Sequence, residues 1–383
     1  MLKIGLLTLF KQFPTQKVAG MISFSYICKQ KNAICVLHFQ AKSVICVLHF
    51  QDESVLAKWL NKFSKKLATP KNYSYYRILK CKITKTLNIN MNNRITEGYM
   101  PFMGYQTYYR IVGEPSEKAP LLLLHGGPGS THNYFEVLDC IADTGRQVIS
   151  YDQIGCGNSY LDGHPELWTL KTWIDELIAI REHLHLDAVH ILGQSWGAMQ
   201  AIAYAIDQKP AGIKSLILSS GHASSSLWAS EQHRLIKYMS AEDQEAIRRA
   251  EATGKWDDPD YLRANEHYFE LYVTSVDEHS PECLKRPKRS GTEAYLYGWG
   301  PNEYQPLGSL KDFEYTDQLN QISQPTLICS GTQDICTPVV AASLYEHIPH
   351  SRWHLFRHSR HMCFVDAHEE YCEVLADWLQ EKD

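Results

Sequence analysis

Between residues 120 and 220, short uninterrupted apolar runs alternate with stretches whose apolar positions recur every three or four residues. The runs "PLLLLHGG" (120–127), "RQVISYDQ" (146–153), "AVHILGQ" (188–194) and "IKSLILSS" (213–220) have the length and bounding residues of buried strands. Between them, Leu170, Trp173, Ile174, Leu177 and Ile178 share one face of a helix with N-cap signals at Thr169 and Thr172. "WGAMQAIAYAIDQ" (196–208) predicts a second helix. Strand and helix alternating in this order predict an α/β fold with a mostly parallel, doubly wound sheet.

Past Gly221 the pattern changes. Residues 225–315 hold amphipathic charged segments and no buried-strand run, and "SAEDQEAIRRAEATG" opens with a capping-box-like pair, Ser240 and Asp243. The sheet pattern returns with "QPTLICSGTQD" (324–334), a helix near 338–347, the strand "SRWHLFRHS" (351–359) and a closing helix "HEEYCEVLADWL". The expected organisation is a core of residues 91–222 and 318–383, with a helical lid of residues 223–317 over the strand ends, where ligands bind in such sheets.

Residues 1–90 do not share this rhythm. They carry 15 Lys and Arg against Asp52 and Glu53, so the net charge of −5 hides a basic segment ahead of an acidic body. The heptapeptide "ICVLHFQ" occurs at 34–40 and again at 45–51, which is too few copies for a solenoid. We read the segment as an extension outside the catalytic fold; a basic membrane-surface arm is the competing reading. The acidic body argues against nucleic acid as a partner, and no apolar run is long enough to span a membrane. Lys11 closely follows the first apolar run and no A-x-A site follows it, which argues against a signal peptide. Eleven cysteines in no C-x-x-C pair fit reduced thiols and a cytoplasmic location, and neither a metal nor an organic cofactor is expected.

The candidate chemistry begins at "GQSWG". G-x-S-x-G between a buried strand and a helix is the pattern of a nucleophile elbow, where Gly193 and Gly197 leave room for a strained turn that exposes Ser195. The simpler alternative is a serine helix cap. In this fold the base and its orienting acid follow the serine in the order acid, histidine, and both positions are filled at strand ends. Asp334 lies in "SGTQDICTP" and His361 in "FRHSRHMCF"; His361 is preferred to His358 because an apolar stretch follows it. The backbone N–H groups of Trp196 and Gly127 are the expected oxyanion donors.

Taken together, "HGGPGSTHNYF", "YDQIGCGNS", "GQSWG", "GPNEY", "GTQDICTP" and "SRHM" make residues 95–383 resemble the proline iminopeptidase family of α/β-hydrolases, which includes the tricorn-interacting aminopeptidases. The resemblance implies removal of N-terminal residues, often proline, from short peptides. It places the triad on Ser195, Asp334 and His361, the oxyanion donors on Gly127 and Trp196, and the contact to the substrate's amino terminus on Glu303. An ammonium group calls for such a carboxylate.

The chain departs from the family pattern at Ile335, where several members carry an acidic residue, and at Ile154, where many carry Arg. These departures leave an amidase or carboxylesterase of the same fold as the alternative, and a catalytically dead binding module as a more distant one. Trp228, Trp299 and Tyr304 are candidates for a proline pocket or for lid packing. His125 and Asp152 are expected to prop the oxyanion loop, and Cys156 is read as a buried spectator. Oligomeric state is not legible.

Overall fold

A computed structural model describes residues 95–383 throughout, together with four strand segments before them. The chain divides into two units, Met1–Met91 and Asn92–Asp383. In the first, β1 (Phe10–Gln12), β2 (Phe24–Gln30), β3 (Ala33–Gln40) and β4 (Ser43–Phe50) form an antiparallel sheet in that order. The first copy of the heptapeptide falls on β3 and the second, up to Phe50, on β4, and the two pair with each other, Val36 opposite Val47. The membrane-surface reading concerns side chains outside the described residues.

In the second unit, β5 (Ile95–Phe102) and β6 (Tyr105–Val112) form a hairpin around Met103 and Gly104, both at positive φ. There follow β7 (Leu121–Leu124), β8 (Val148–Tyr151), α1 (Leu170–His183), β9 (Val189–Gln194), α2 (Trp196–Ala203) and β10 (Ile213–Ser219). The lid holds α3 (Ser225–Ile236), α4 (Ala241–Thr253), α5 (Pro259–Tyr272), the short α6 (Glu282–Lys285) and α7 (Thr292–Gly298). The core resumes with β11 (Thr326–Gly331), α8 (Pro338–His347), β12 (Ser351–Phe356), the short α9 (Cys363–Asp366) and α10 (His368–Lys382). The eight strands run in the order β12-β11-β10-β9-β7-β8-β6-β5, and all neighbours are parallel except β8-β6 and β6-β5.

The central strands are apolar on both faces because helices cover both. On β7, Leu122 and Leu124 join the apolar cluster that contains α1, α2 and the lid, while Leu121 and Leu123 face the cluster that contains α10. β10 divides in the same way, with Leu216 and Leu218 on one side and Ile217 on the other. The period of two along a strand thus feeds two separate cores.

The lid leaves and re-enters the sheet through one narrow joint, where Ser224 bridges Glu314 and the Tyr315 N–H donates to the Ala223 carbonyl at 2.7 Å. Helix capping follows the expected residues: Thr169 accepts from the Thr172 N–H, and Ser240 from the Asp243 N–H. Among the described residues, no helix is long and apolar enough to cross a membrane.

Two elements differ from expectation. A thirteen-residue 3-10 helix, His132–Thr144, follows the glycine-rich loop; the Thr131 hydroxyl donates to Asn133 Oδ1 and accepts from no backbone N–H of the first turn, so the usual cap is missing. The helix expected over 196–208 is α-helical only to Ala203 and closes as a π-helical turn, Tyr204–Gln208.

Candidate active site

β9 delivers Ser195 to the end of the sheet, where it sits at φ 56°, ψ −120° before the first turn of α2. A non-glycine residue held there stores on the order of 1–3 kcal/mol of backbone strain. The surroundings impose it: the Ser195 N–H donates to the Ser219 carbonyl at 2.9 Å, and its carbonyl accepts from Ala198 N–H at 2.9 Å. Two glycines make the turn sterically accessible. A Cβ on Gly193 would strike the Gly197 carbonyl, and one on Gly197 would strike the Leu124 carbonyl. Gly197→Ala is therefore expected to destabilise the protein by about 3 kcal/mol, since backbone cannot yield as a side chain does. Urea denaturation measures this; a loss below about 0.5 kcal/mol contradicts the close approach.

Asp334, just beyond β11, is buried, and four donors converge on its carboxylate. Oδ1 accepts from His361 Nδ1 at 2.8 Å and from the Cys336 N–H at 2.7 Å; Oδ2 accepts from Ser220 Oγ at 2.6 Å and from the Gly331 N–H at 3.2 Å. With all its acceptor capacity engaged, the carboxylate is fixed in place and holds the imidazole in the tautomer that carries its proton on Nδ1. The His361 N–H donates to the Tyr272 carbonyl at the end of α5, and the Trp228 ring stands edge-on to the imidazole at 6.0 Å. His361 and Ser195 line one cavity of about 480 Å³, whereas His358 is an exposed residue at positive φ outside it.

Gly127 lines the same cavity at φ +115°, a conformation reserved for glycine, and a Cβ there would crowd the N–H groups of Gly129 and Ser130. The Gly126 N–H is taken by the Tyr134 hydroxyl at 2.6 Å, which in turn donates to Gln194 Oε1 at 2.8 Å. Tyr134 thereby ties the glycine loop to the residue before Ser195. Trp196 opens α2, where backbone N–H groups have no partner within the helix. Its indole is buried against Trp173 and donates to Gln153 Oε1 at 2.8 Å, so the side chain braces the site from behind.

The "DQ" loop completes that brace. The Gln153 N–H donates to His125 Nε2 at 3.0 Å, and Asp152 Oδ1 accepts from the His132 N–H and from Nδ1, both at 2.8 Å. Burial pushes the Asp152 carboxyl up, but the bonds from His132 and Asn158 outweigh it and hold it below its ordinary value. Burial pushes Glu176 up to about 8 despite bonds from Thr107 and the Ile154 N–H. Ile154 is thus held through its backbone, and its side chain belongs to the core.

Glu303 also lines the cavity, on the lid side, with Oε1 accepting from the Tyr295 hydroxyl at 2.8 Å. Burial raises its pKa; the nearby His361 and the Tyr295 bond offset only part of this. Such a carboxylate is short of counter-charge, which a cationic group in the cavity would supply. Trp228, Trp299 and Tyr304 do not line the cavity. Trp228 Nε1 donates to the Glu303 carbonyl at 2.9 Å and Trp299 Nε1 to the Asn302 carbonyl at 3.0 Å, so the indoles fasten the backbone of the Glu303 loop. The apolar lining comes instead from Phe269, Val273, Val276, Leu284, Tyr295 and Pro301. Ile335 is fully buried and lies outside the cavity lining.

The α/β hydrolase fold family matches residues 119–367. The proline iminopeptidase of Clostridioides difficile is 59% identical over 292 residues, covering 76% of this chain and all of that protein. This chain belongs to the proline iminopeptidase family of α/β-hydrolases. The proline iminopeptidase of Lactobacillus helveticus is 58% identical over 291 residues, 76% of this chain and 99% of its own length. The solved proline iminopeptidase of Mycobacterium smegmatis superposes with a TM-score of 0.67 at 33% identity, covering 75% of this chain and 98% of its own. Like other members of the family, the chain is a hydrolase.

One cluster went unseen in the sequence. Cys140 and Cys372 thiols lie 3.2 Å apart, with His368 beside them, although only the His368/Cys372 i,i+4 spacing was visible along the chain. The buried Cys156 contacts His125 Nε2 at 3.4 Å, and burial raises its thiol well above the ordinary value, which leaves it protonated and inert.

Proposed function

We propose that the protein is a serine aminopeptidase that removes N-terminal proline from short peptides through an acyl-enzyme. His361 Nε2 takes the Ser195 proton as Oγ attacks the first carbonyl, and Asp334 stabilises the imidazolium that forms. The backbone N–H groups of Gly127 and Trp196 hold the oxyanion, and such a donor contributes about 3–4 kcal/mol to the transition state. The amine leaves with the proton from His361, and water then clears the acyl group from Ser195 by the same route in reverse. The residue roles rest on the placement of these groups around one cavity.

A single observation supports an aminopeptidase over a simple esterase: Glu303, the one carboxylate among the cavity-lining residues, is desolvated in the same space as Ser195 and His361. A free α-ammonium placed there pairs with it, and an N-acylated substrate leaves it buried and unpaired. Cys156, Cys283, Cys329, Cys336 and Cys363 are buried free thiols, which suits a reducing compartment such as the cytoplasm.

Glu303→Gln tests the reading on a panel of aminoacyl arylamides with and without N-acetylation. We expect kcat/KM for proline arylamide to fall about 100-fold, carried mainly by KM, with acetylated substrates poor in both proteins. Because the Glu303 pKa is raised, recognition of the ammonium is lost as pH falls through that raised value, above the usual carboxylate range, and the glutamine variant lacks this acid limb. Undiminished arylamide hydrolysis in the variant, with simple esters cleaved as well, assigns the protein to the esterases.

A further inference from the structure

The segment Lys285–Gly291 carries four cations, and three are occupied. Lys285 Nζ donates to the Glu278 carbonyl, Arg286 pairs with Glu136 and Glu282, and the Arg289 guanidinium lies 3.3 Å over the Tyr160 ring. Lys288 is held more loosely: among the described residues its ammonium makes neither an ion pair nor a hydrogen bond, and its ring contact is at 5.9 Å against 3.3 Å for Arg289. It lines the cavity that contains Ser195, Glu303 and His361.

The chain just after Lys288 is pinned at two points. The Gly291 N–H donates to the Gly129 carbonyl, and the Gly157 N–H to the Arg289 carbonyl, both at 2.7 Å. The lysine is therefore held against the glycine loop. Its Nζ stands 5.9 Å from the centre of the Tyr134 ring, the same ring whose hydroxyl bonds the Gly126 N–H. Lys288 also borders a second cavity with Glu97, Glu136 and Asp152, but those carboxylates are engaged by the Tyr108 hydroxyl, by Arg286 and by His132.

The cavity thus presents one carboxylate, Glu303, and one lysine, Lys288, with Ser195 and His361 between its walls. That is the charge pattern of a receptor for a zwitterion. In a dipeptide, the terminal carboxylate carbon lies three bonds past the scissile carbonyl carbon, about 3–4 Å, so it stays close to the oxyanion loop. We propose that Lys288 binds the C-terminal carboxylate of the leaving amino acid and makes free dipeptides the favoured substrates of this site. The inference rests on the aminopeptidase reading, with Glu303 at the amine end. It deepens that reading by assigning the opposite end of the substrate.

The test compares Pro-Ala with Pro-Ala-amide, which differ only in the terminal charge, in the wild-type protein and in Lys288→Met and Lys288→Arg. We expect wild-type kcat/KM to favour the free acid about tenfold, the preference to collapse to about one in Lys288→Met, and much of it to return in Lys288→Arg. A purely structural role for Lys288 would move both substrates together and leave the ratio intact. A wild-type ratio near one, or a ratio unchanged in Lys288→Met, overturns the proposal while leaving the aminopeptidase standing. Proline arylamide left uncleaved by the wild-type protein brings down the function itself, and this inference with it.

Discussion

Ser195→Ala will lower kcat on proline arylamide by about 10⁶-fold and abolish labelling by a fluorophosphonate. The size follows from what the hydroxyl does. Without Oγ no acyl-enzyme forms, and the remaining groups can only orient water near a carbonyl held by two N–H donors. The fold should survive, since alanine keeps the Cβ at the strained turn and the Ser195 backbone bonds do not involve the side chain. Stability within about 1 kcal/mol of wild type, read by urea denaturation, separates lost chemistry from lost structure. A variant retaining more than a hundredth of the activity excludes Ser195 as the nucleophile.

Asp334→Asn should cost about 10⁴-fold in kcat, by analogy with carboxylate-to-amide changes in serine triads. An amide presents one acceptor and one donor where four donors now converge: His361 Nδ1, the Cys336 N–H, Ser220 Oγ and the Gly331 N–H. Whichever way the amide turns, its NH₂ faces groups that also donate. If it faces His361, the imidazole must move its proton to Nε2 and no longer accepts from Ser195. If it faces Ser220 and Gly331, buried N–H and O–H groups lose their acceptor, at about 1–3 kcal/mol. We therefore expect a lower unfolding midpoint together with the kinetic loss. Activity within tenfold of wild type would show that Asp334 does not orient the base.

Much of the architecture is legible because its signals are local. β7, β9 and β10 announce themselves as apolar runs since both faces of a central strand are covered, and α1 and α4 declare their starts through Thr169 and Ser240. The 3-10 helix at His132–Thr144 gives no such notice: no side chain caps its first backbone N–H groups, and it packs with α9 and α10 in the second apolar cluster. The aromatic lid residues illustrate a second limit. Residue type marks Trp228 on α3 and Trp299 and Tyr304 after α7 as pocket candidates, but whether an indole lines the cavity or fastens the Glu303 loop depends on which carbonyl its N–H can reach, and that is a tertiary fact.

The site divides along the same line. A nucleophile elbow and its chain-order partners can be picked out from residue type and spacing, because a strained strand-to-helix turn tolerates only small neighbours, whereas the "GPNEY" glutamate is singled out only by the family resemblance. No spacing reveals that Ser220 supports Asp334, that Tyr134 joins the glycine loop to Gln194, or that Lys288 comes to border the same cavity as Glu303. The first two pairings span 114 and 60 residues, and Lys288 and Glu303, 15 residues apart in the same segment, meet only through the cavity they both line. The sequence alone determined the family, the succession of strands and helices along the chain and the residue types available at the strand ends. Only the tertiary structure decided which charges remain uncompensated in one desolvated space, because desolvation and hydrogen-bond satisfaction depend on everything packed around a group.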